Sequence, residues 1–258
     1  MAYIQIIILV VFVLSIVYTV RFLSKKKSVV ANSVPVLLQK TLNELVPFYQ
    51  QLNAEKQITF EERAARFLTQ VRITGVNTKV EDIDKVLIAA SAIIPIFNFP
   101  QWEYGNLHEV LLYPNSFDHT YKQQGAGRNI LGMVGSGPMN HVMILSQHEL
   151  RQAFINKTGK ENTAIHEFVH LLDKSDGDTD GIPEYFLHKK YIVPWLQLMH
   201  QEIQKISENK SDINPYGATN EAEFFAVVSE YFFEQPALLK EKHPQLYDSL
   251  QKIFTVSS

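Results

Sequence analysis

The hydrophobic pattern divides the chain into an unbroken apolar run followed by a long stretch of periodic segments. Ala2 to Val20 contains no charged residue and consists mostly of Ile, Leu, Val and Phe. After it, apolar positions recur at helical spacing in three blocks. Val36–Phe48 carries Leu38, Leu42 and Leu45 on one stripe and reaches Pro47; Phe60–Arg72 carries Phe60, Ala64, Phe67, Leu68 and Val71; Val80–Ile94 carries Ile83, Val86, Leu87, Ala90 and Ile94 and is expected to stop at Pro95. Strand-like segments follow at Glu109–Tyr113, Asn129–Val134 and His141–Leu145. The last two flank Gly135-Ser136-Gly137-Pro138, which suggests a hairpin. Helical periodicity then returns at Thr163–Leu172, Tyr191–Ile206 and Asn220–Phe233, separated by polar loops. Helices, then strands, then helices predict an α+β domain.

As a helix, the first apolar run rises about 28 Å, close to the hydrocarbon thickness of a bilayer. Tyr3 and Tyr18 stand near its two ends, and Arg21, Lys25, Lys26 and Lys27 follow it. A cleaved signal peptide carries its charge before the apolar run, whereas here the charge comes after it. The pattern therefore predicts an anchor with its basic flank at residues 1–27, a polar linker at 28–35 and one soluble domain at 36–258. A basic flank marks the cytoplasmic side. The expectation is a single-pass protein of the cell membrane with its domain in the cytoplasm.

Composition narrows the chemistry. The net charge of −3 gives no concentrated basic face, so direct nucleic-acid binding is not expected. There is no cysteine, which removes disulfides and thiolate metal sites and leaves His and carboxylates as the available metal ligands.

His166-Glu167-Phe168-Val169-His170 has the H-E-x-x-H pattern. Residues four apart on a helix differ by about 40° of rotation, so both imidazoles face one way and can fill two corners of a tetrahedral zinc site. Glu167 is turned aside, which suits a base that takes a proton from water activated by the metal. Ala164, Ile165, Phe168, Val169, Leu171 and Leu172 make this helix apolar, and two buried imidazoles with a buried carboxylate need partners. The alternative is two His on a wet helix face. A third protein ligand is still required. The short H-x-x-G-x-x-H extension is absent, because Asp176 stands six residues after His170. A carboxylate on the Asn220–Phe233 helix is expected instead. Spacing leaves Glu223 and Glu230 both open, while Glu221 lies near the helix start, where a carboxylate favours the dipole.

These residues resemble the Mlc titration factor A family of bacterial zinc peptidases. The similarity lies in HEFVHLLD at 166–173, Asp180-Gly181-x-Pro183, Tyr216, Glu221 to Glu223, and EFFAVVSEYFFEQP at 223–236. Upstream, Phe60-x-x-Arg63, Phe67-Leu68, Ile88-Ala89-Ala90-x-Ala92 and Tyr113-Pro114-x-x-Phe117 also resemble it. The resemblance spans roughly residues 40–250; the N-terminal anchor and Gln147–Glu161 depart from it. It implies a zincin-like, gluzincin-type domain with helices around a small mixed sheet, similar to the catalytic domain of anthrax lethal factor. It also implies one Zn²⁺ held by His166, His170 and Glu223, Glu167 as base, and Tyr216 as donor to the transition state. The expected partner is a peptide or protein substrate. The rival expectation, from the family name, is a membrane-tethered protein that sequesters a transcriptional regulator.

Weaker signals remain. Asp176 to Gly181 reproduces the first half of a calcium loop, but Leu187 stands where a bidentate Glu is needed, so a plain acidic turn is expected. Asp173 either accepts the second N–H of a zinc-bound imidazole or ends its helix. His141 and His148 are read as structural or surface residues, and Phe224, Phe225, Tyr231, Phe232 and Phe233 as core. Asn129–Val134 is expected to offer an edge to an extended substrate, with Gly125, Gly127 and Gly132 allowing close backbone approach.

Overall fold

A computed structural model describes residues 36–116, 131–135 and 141–255. The expected anchor at 1–27 and linker at 28–35, together with Phe117, Gly125, Gly127 and Asn129, lie outside them. Among the described residues no helix is long and apolar enough to cross a membrane.

The first amphipathic block is two helices. Helix α1 (Val36–Leu45) ends at an extended Val46, and α2 (Pro47–Gln50) restarts with proline in its first turn, where a missing N–H is tolerated. Helix α3 (Ala54–Gln70) begins earlier than its apolar stripe suggested, because the Asn53 side chain accepts from the Lys56 N–H and caps a polar first turn. Strand β1 (Arg72–Gly75) follows at once. Helix α4 (Asp82–Ile96) opens with a reciprocal capping box between Glu81 and Asp84 and is buried continuously from Val86 to Ile96. Pro95 does not stop it; so near the end, proline costs only one intrahelical bond.

Two buried polar residues fix α4. Arg63 donates from α3 to the carbonyls of Ile96, Phe97 and Phe99, satisfying groups that a helix end leaves unpaired. Asp84, wholly buried, receives the Arg151 guanidinium at 2.7 and 3.0 Å. Arg151 lies on α5 (Gln147–Ile155), a helix the apolar pattern did not reveal.

The sheet contains β1, β2 (Glu109–Tyr113), β3 (Gly132–Val134) and β4 (Val142–Ser146) in the order β1-β2-β4-β3. β1, β2 and β4 run parallel, while β3 pairs antiparallel with β4, Met133 opposite Ile144. The antiparallel pair and the small mixed sheet expected from sequence are present, the turn at Ser136, Gly137 and Pro138 lies outside the described residues, and among those described β3 is an edge.

Helix α6 (Thr163–Asp173) starts at Asn162, whose side chain caps the Ile165 N–H, and buries Ala164, Ile165, Phe168, Val169 and Leu172. It packs against α4, β3 and α8 (Glu221–Glu234), and α7 (Ile192–Ser207) packs on α8 as well. Phe224, Phe225 and Tyr231 belong to the core, and Phe232 and Phe233 pack against it. Two further helices, α9 (Pro236–Lys242) and α10 (Pro244–Phe254), each open on proline and close the core over α8.

Candidate metal centre

The structure brings His166, His170 and Glu223 together. His166 Nε2 lies 2.9 Å from Glu223 Oε2 and 3.1 Å from His170 Nε2, and His170 Nε2 lies 3.4 Å from Glu223 Oε2. Corners of a tetrahedral zinc site with bonds of 2.0–2.1 Å are separated by about 3.3 Å. The three donors therefore fit a small divalent cation, and they form the only such cluster found among the described residues. Two caps set this register: Asn162 starts α6 four residues before His166, and the Asn220 side chain accepts from the Glu223 N–H.

The two carboxylates that spacing left open lie on the two sides of one ring. Glu223 faces His166 Nε2, whereas Glu230 lies on the opposite side, with Oε1 2.6 Å from His166 Nδ1. Glu230 also accepts from the Asn162 N–H. It holds the ring from behind and keeps Nε2 pointing at the cluster. Burial works against charging His166, but Glu230 and Glu223 outweigh it and raise its pKa well above the ordinary histidine value. Burial likewise opposes ionisation of Glu223, yet hydrogen bonds from His166 and His170 hold its carboxyl far below the usual range. A cation entering here would displace the imidazolium proton.

Glu167 is buried beside this cluster without belonging to it. Burial pushes its carboxyl up, partly offset by His166 and His170. Edge strand β3 runs against it: a Cβ placed on Gly132 would lie 2.7 Å from Glu167 Cγ, 2.8 Å from its Oε1 and 2.8 Å from Thr163 Cγ2. Sequence reading gave Gly132 only the task of admitting a substrate backbone. Its near contact is with Glu167, which no local pattern signals.

Tyr216 sits in a 3-10 turn, Pro215–Ala218, begun by the Asn214 side chain accepting from the Tyr216 N–H. Its ring is half exposed, with its centroid 6.0 Å from that of His166. Burial and the Glu223 carboxylate push the phenol up to about 12, so it stays protonated and able to donate.

Asp173 is fully buried; Oδ2 accepts from the Gly181 N–H at 2.9 Å, and burial raises its carboxyl to about 7. The Asp176–Gly181 segment is a turn in which Asp176 accepts from the N–H groups of Asp178 and Glu184, and Asp180 from that of Ile182. His141 bonds the Asn106 carbonyl and stacks on His108, and His148 contacts Glu149. Neither joins the centre. Glu221, half exposed in the first turn of α8, stays outside it as well.

The donors open onto a cleft of about 600 Å³ lined on one side by β3 and on the other by Tyr216 and Glu223. A cavity of about 630 Å³ beyond Glu230 contains none of the three donors. A smaller hollow shares Leu131, Glu161 and Glu230 with this cavity and Gly132, His166, Glu167 and Tyr216 with the cleft.

A helix bearing H-E-x-x-H, a carboxylate from a later helix at the third corner and a second Glu held apart from the cluster define the arrangement of a metallopeptidase. The comparison with known proteins agrees: glucose-regulated metallo-peptidases M90 match residues 20–255, and the chain belongs to that family. It is 29% identical to the uncharacterized protein slr2042 of Synechocystis over 241 residues, 89% of this chain and 87% of that protein. It is 30% identical to Mlc titration factor A of Pectobacterium atrosepticum over 226 residues, 81% of this chain and 82% of the relative. With the same factor of Escherichia fergusonii it shares 31% identity over 216 residues, 78% of this chain and 80% of the relative. The family implies a bound metal.

Proposed function

We propose that the chain is a zinc-dependent peptidase of gluzincin type, with a zincin-like domain in which His166, His170 and Glu223 hold the metal. The observation that carries this reading is Glu167, a buried carboxyl of raised pKa beside a three-donor cluster to which it does not belong. A bound zinc would lower the pKa of water and polarise the substrate carbonyl. Glu167 takes the proton from the attacking water and passes it to the leaving amine. Tyr216, protonated at the cleft edge, donates to the oxyanion. Glu230 keeps His166 turned toward the cluster. Strand β3, an edge among the described residues, lines the cleft and would pair its outer backbone groups with an extended peptide.

The second reading is a binding protein for a transcriptional regulator, favoured by the name Mlc titration factor A borne by relatives. Residues 2–20, almost all before the family match begins, would tether either activity to the membrane, with the domain in the cytoplasm. The deciding experiment is peptide cleavage by purified full-length protein, with metal content measured on the same sample. Stoichiometric zinc with hydrolysis that Glu167→Gln abolishes supports the enzyme; zinc without cleavage of any peptide in a broad library removes it.

A further inference from the structure

The two imidazoles of the centre are supported unequally. His166 Nδ1 has Glu230 behind it at 2.6 Å. His170 Nδ1 is buried and has no hydrogen-bond partner among the described residues. A histidine that gives its Nε2 lone pair to a metal carries its proton on Nδ1, so a loaded His170 presents a buried N–H that needs an acceptor. One turn along α6, on the same face, Asp173 Oδ1 is also buried and without a partner among the described residues. The His170 ring is among the groups acting on that carboxyl.

The other oxygen of Asp173 is engaged, and its partner matters. It accepts from Gly181 N–H, while the Gly181 carbonyl accepts from Trp195 Nε1 at 2.7 Å. Gly181 has φ +77, and a Cβ there would meet the Glu221 carbonyl oxygen at 2.4 Å. The backbone at Gly181 is thus wedged against the first residue of α8, two positions before Glu223. Its neighbour Asp180 lines the cleft.

We infer that Asp173 is a positioning residue that accepts the His170 Nδ1 proton when the metal is bound, and so joins ligation by His170 to the Asp180–Gly181 wall of the cleft. This rests on the metal site proposed above. One carboxylate then spans two elements: Oδ1 fixes the ring of a ligand, and Oδ2 fixes the loop that abuts the start of the helix bearing the third ligand. Occupancy of the centre stiffens the wall of the cleft through that carboxylate.

The test uses the full-length protein and Zn²⁺ itself, with affinity read by competition against a chelating dye and backbone hydrogen exchange read over residues 174–183. Asp173→Asn retains a carbonyl oxygen for the Gly181 N–H but has only one acceptor. It should bind Zn²⁺ about 10–100-fold more weakly while exchanging like the wild type when metal-free. In the wild type Zn²⁺ should slow exchange at Gly181, and in Asp173→Asn it should not. Zn²⁺ affinity of Asp173→Asn within twofold of wild type, with His166→Ala losing the metal, would reduce Asp173 to a loop anchor. Full Zn²⁺ binding by His166→Ala would overturn the metal site itself. Should Asp173→Asn fail to fold, the wild-type exchange measurement decides alone: no change at Gly181 on adding Zn²⁺ overturns the coupling.

Discussion

Gly132→Ala places one methyl group between the edge strand and the proposed base, and the geometry sets the size of the effect. The new Cβ would stand 2.7 Å from Glu167 Cγ, about 0.7 Å short of ordinary contact at 3.4 Å. Thr163 Cγ2, at 2.8 Å, is also too close and is stiff because Thr is β-branched. Gly132 is not in the left-handed region, so alanine brings no backbone strain. The yielding group is Glu167, and a misplacement approaching 1 Å at a reacting group costs up to about 10²-fold in rate. The expected loss in kcat is about 10–100-fold, or about 1.4–2.7 kcal/mol in the barrier. Zinc content should be unchanged, since the close contacts of the new methyl are with Glu167 and Thr163 and with none of the three donors. The assay is steady-state cleavage of a fluorogenic peptide, with zinc measured by mass spectrometry and the fold checked by thermal melting. A kcat within twofold of wild type at full zinc occupancy would show that Glu167 does not need its present place. Loss of zinc would show that β3 supports the ligands and not the base.

Replacing Glu223 by Ala should remove zinc. Glu230→Ala should weaken binding by about 10–100-fold, and the reverse order in a chelator competition would refute the two-sided reading of His166. Tyr216→Phe should lower kcat on the order of 10²–10³-fold with KM and zinc unchanged; near-normal kcat would make Tyr216 a packing residue. His243, between Glu202 and Asp212 at 3.3 and 2.7 Å, has its pKa raised above 6.5, first by Glu202. Its stabilising contribution is therefore complete below about pH 6.5 and lost as pH rises through the folded value. Urea melts from pH 6 to 9 should show that decline and His243→Gln should flatten it; identical slopes would refute the assignment. Protease added to intact spheroplasts should leave the domain uncut until lysis, and cleavage without lysis would reverse the proposed topology.

What could be read from the sequence follows from where physical signals are local. H-E-x-x-H brings two candidate ligands together because helical rotation alone puts the imidazoles on one face, and Glu/Glu spacing on α8 narrows the third to two candidates. Spacing could not choose between them, since Glu223 and Glu230 reach the same ring from opposite sides. That depends on how α6 crosses α8. Helix α5 escaped notice because its apolar positions are few, although Ser146-x-x-Glu149 is a helix-start signature and Ser146 does accept from the Glu149 N–H. Short α9 is marked only by Pro236, whereas α10 shows Leu246, Leu250, Ile253 and Phe254 at helical spacing after Pro244, a local signal that the reading above does not use. Strand β1, four residues of exposed or half-buried edge, gives little alternation to detect. The closeness of Gly132 to Glu167 arises from the docking of a strand on a helix distant in sequence.

The enzyme and the sequestering protein can share every ligand, so the difference between them has to rest on Glu167. A metal site that only stabilises a fold needs its donors and their supports, and His166, His170, Glu223 and Glu230 already supply these. Placing another carboxyl in the same low-dielectric space adds a desolvation cost, visible here as a raised pKa. The same shift brings a carboxyl closer to the pH at which it can both take and return a proton. Glutamine at 167 is nearly isosteric and removes the charge, so it should leave zinc in place, spare the fold and abolish peptide cleavage. In cells an enzyme would lose its physiological effect with Glu167→Gln, whereas a protein acting only by capture would keep it. Full complementation by that variant, with zinc bound, would mean that burial of Glu167 has some purpose other than proton transfer.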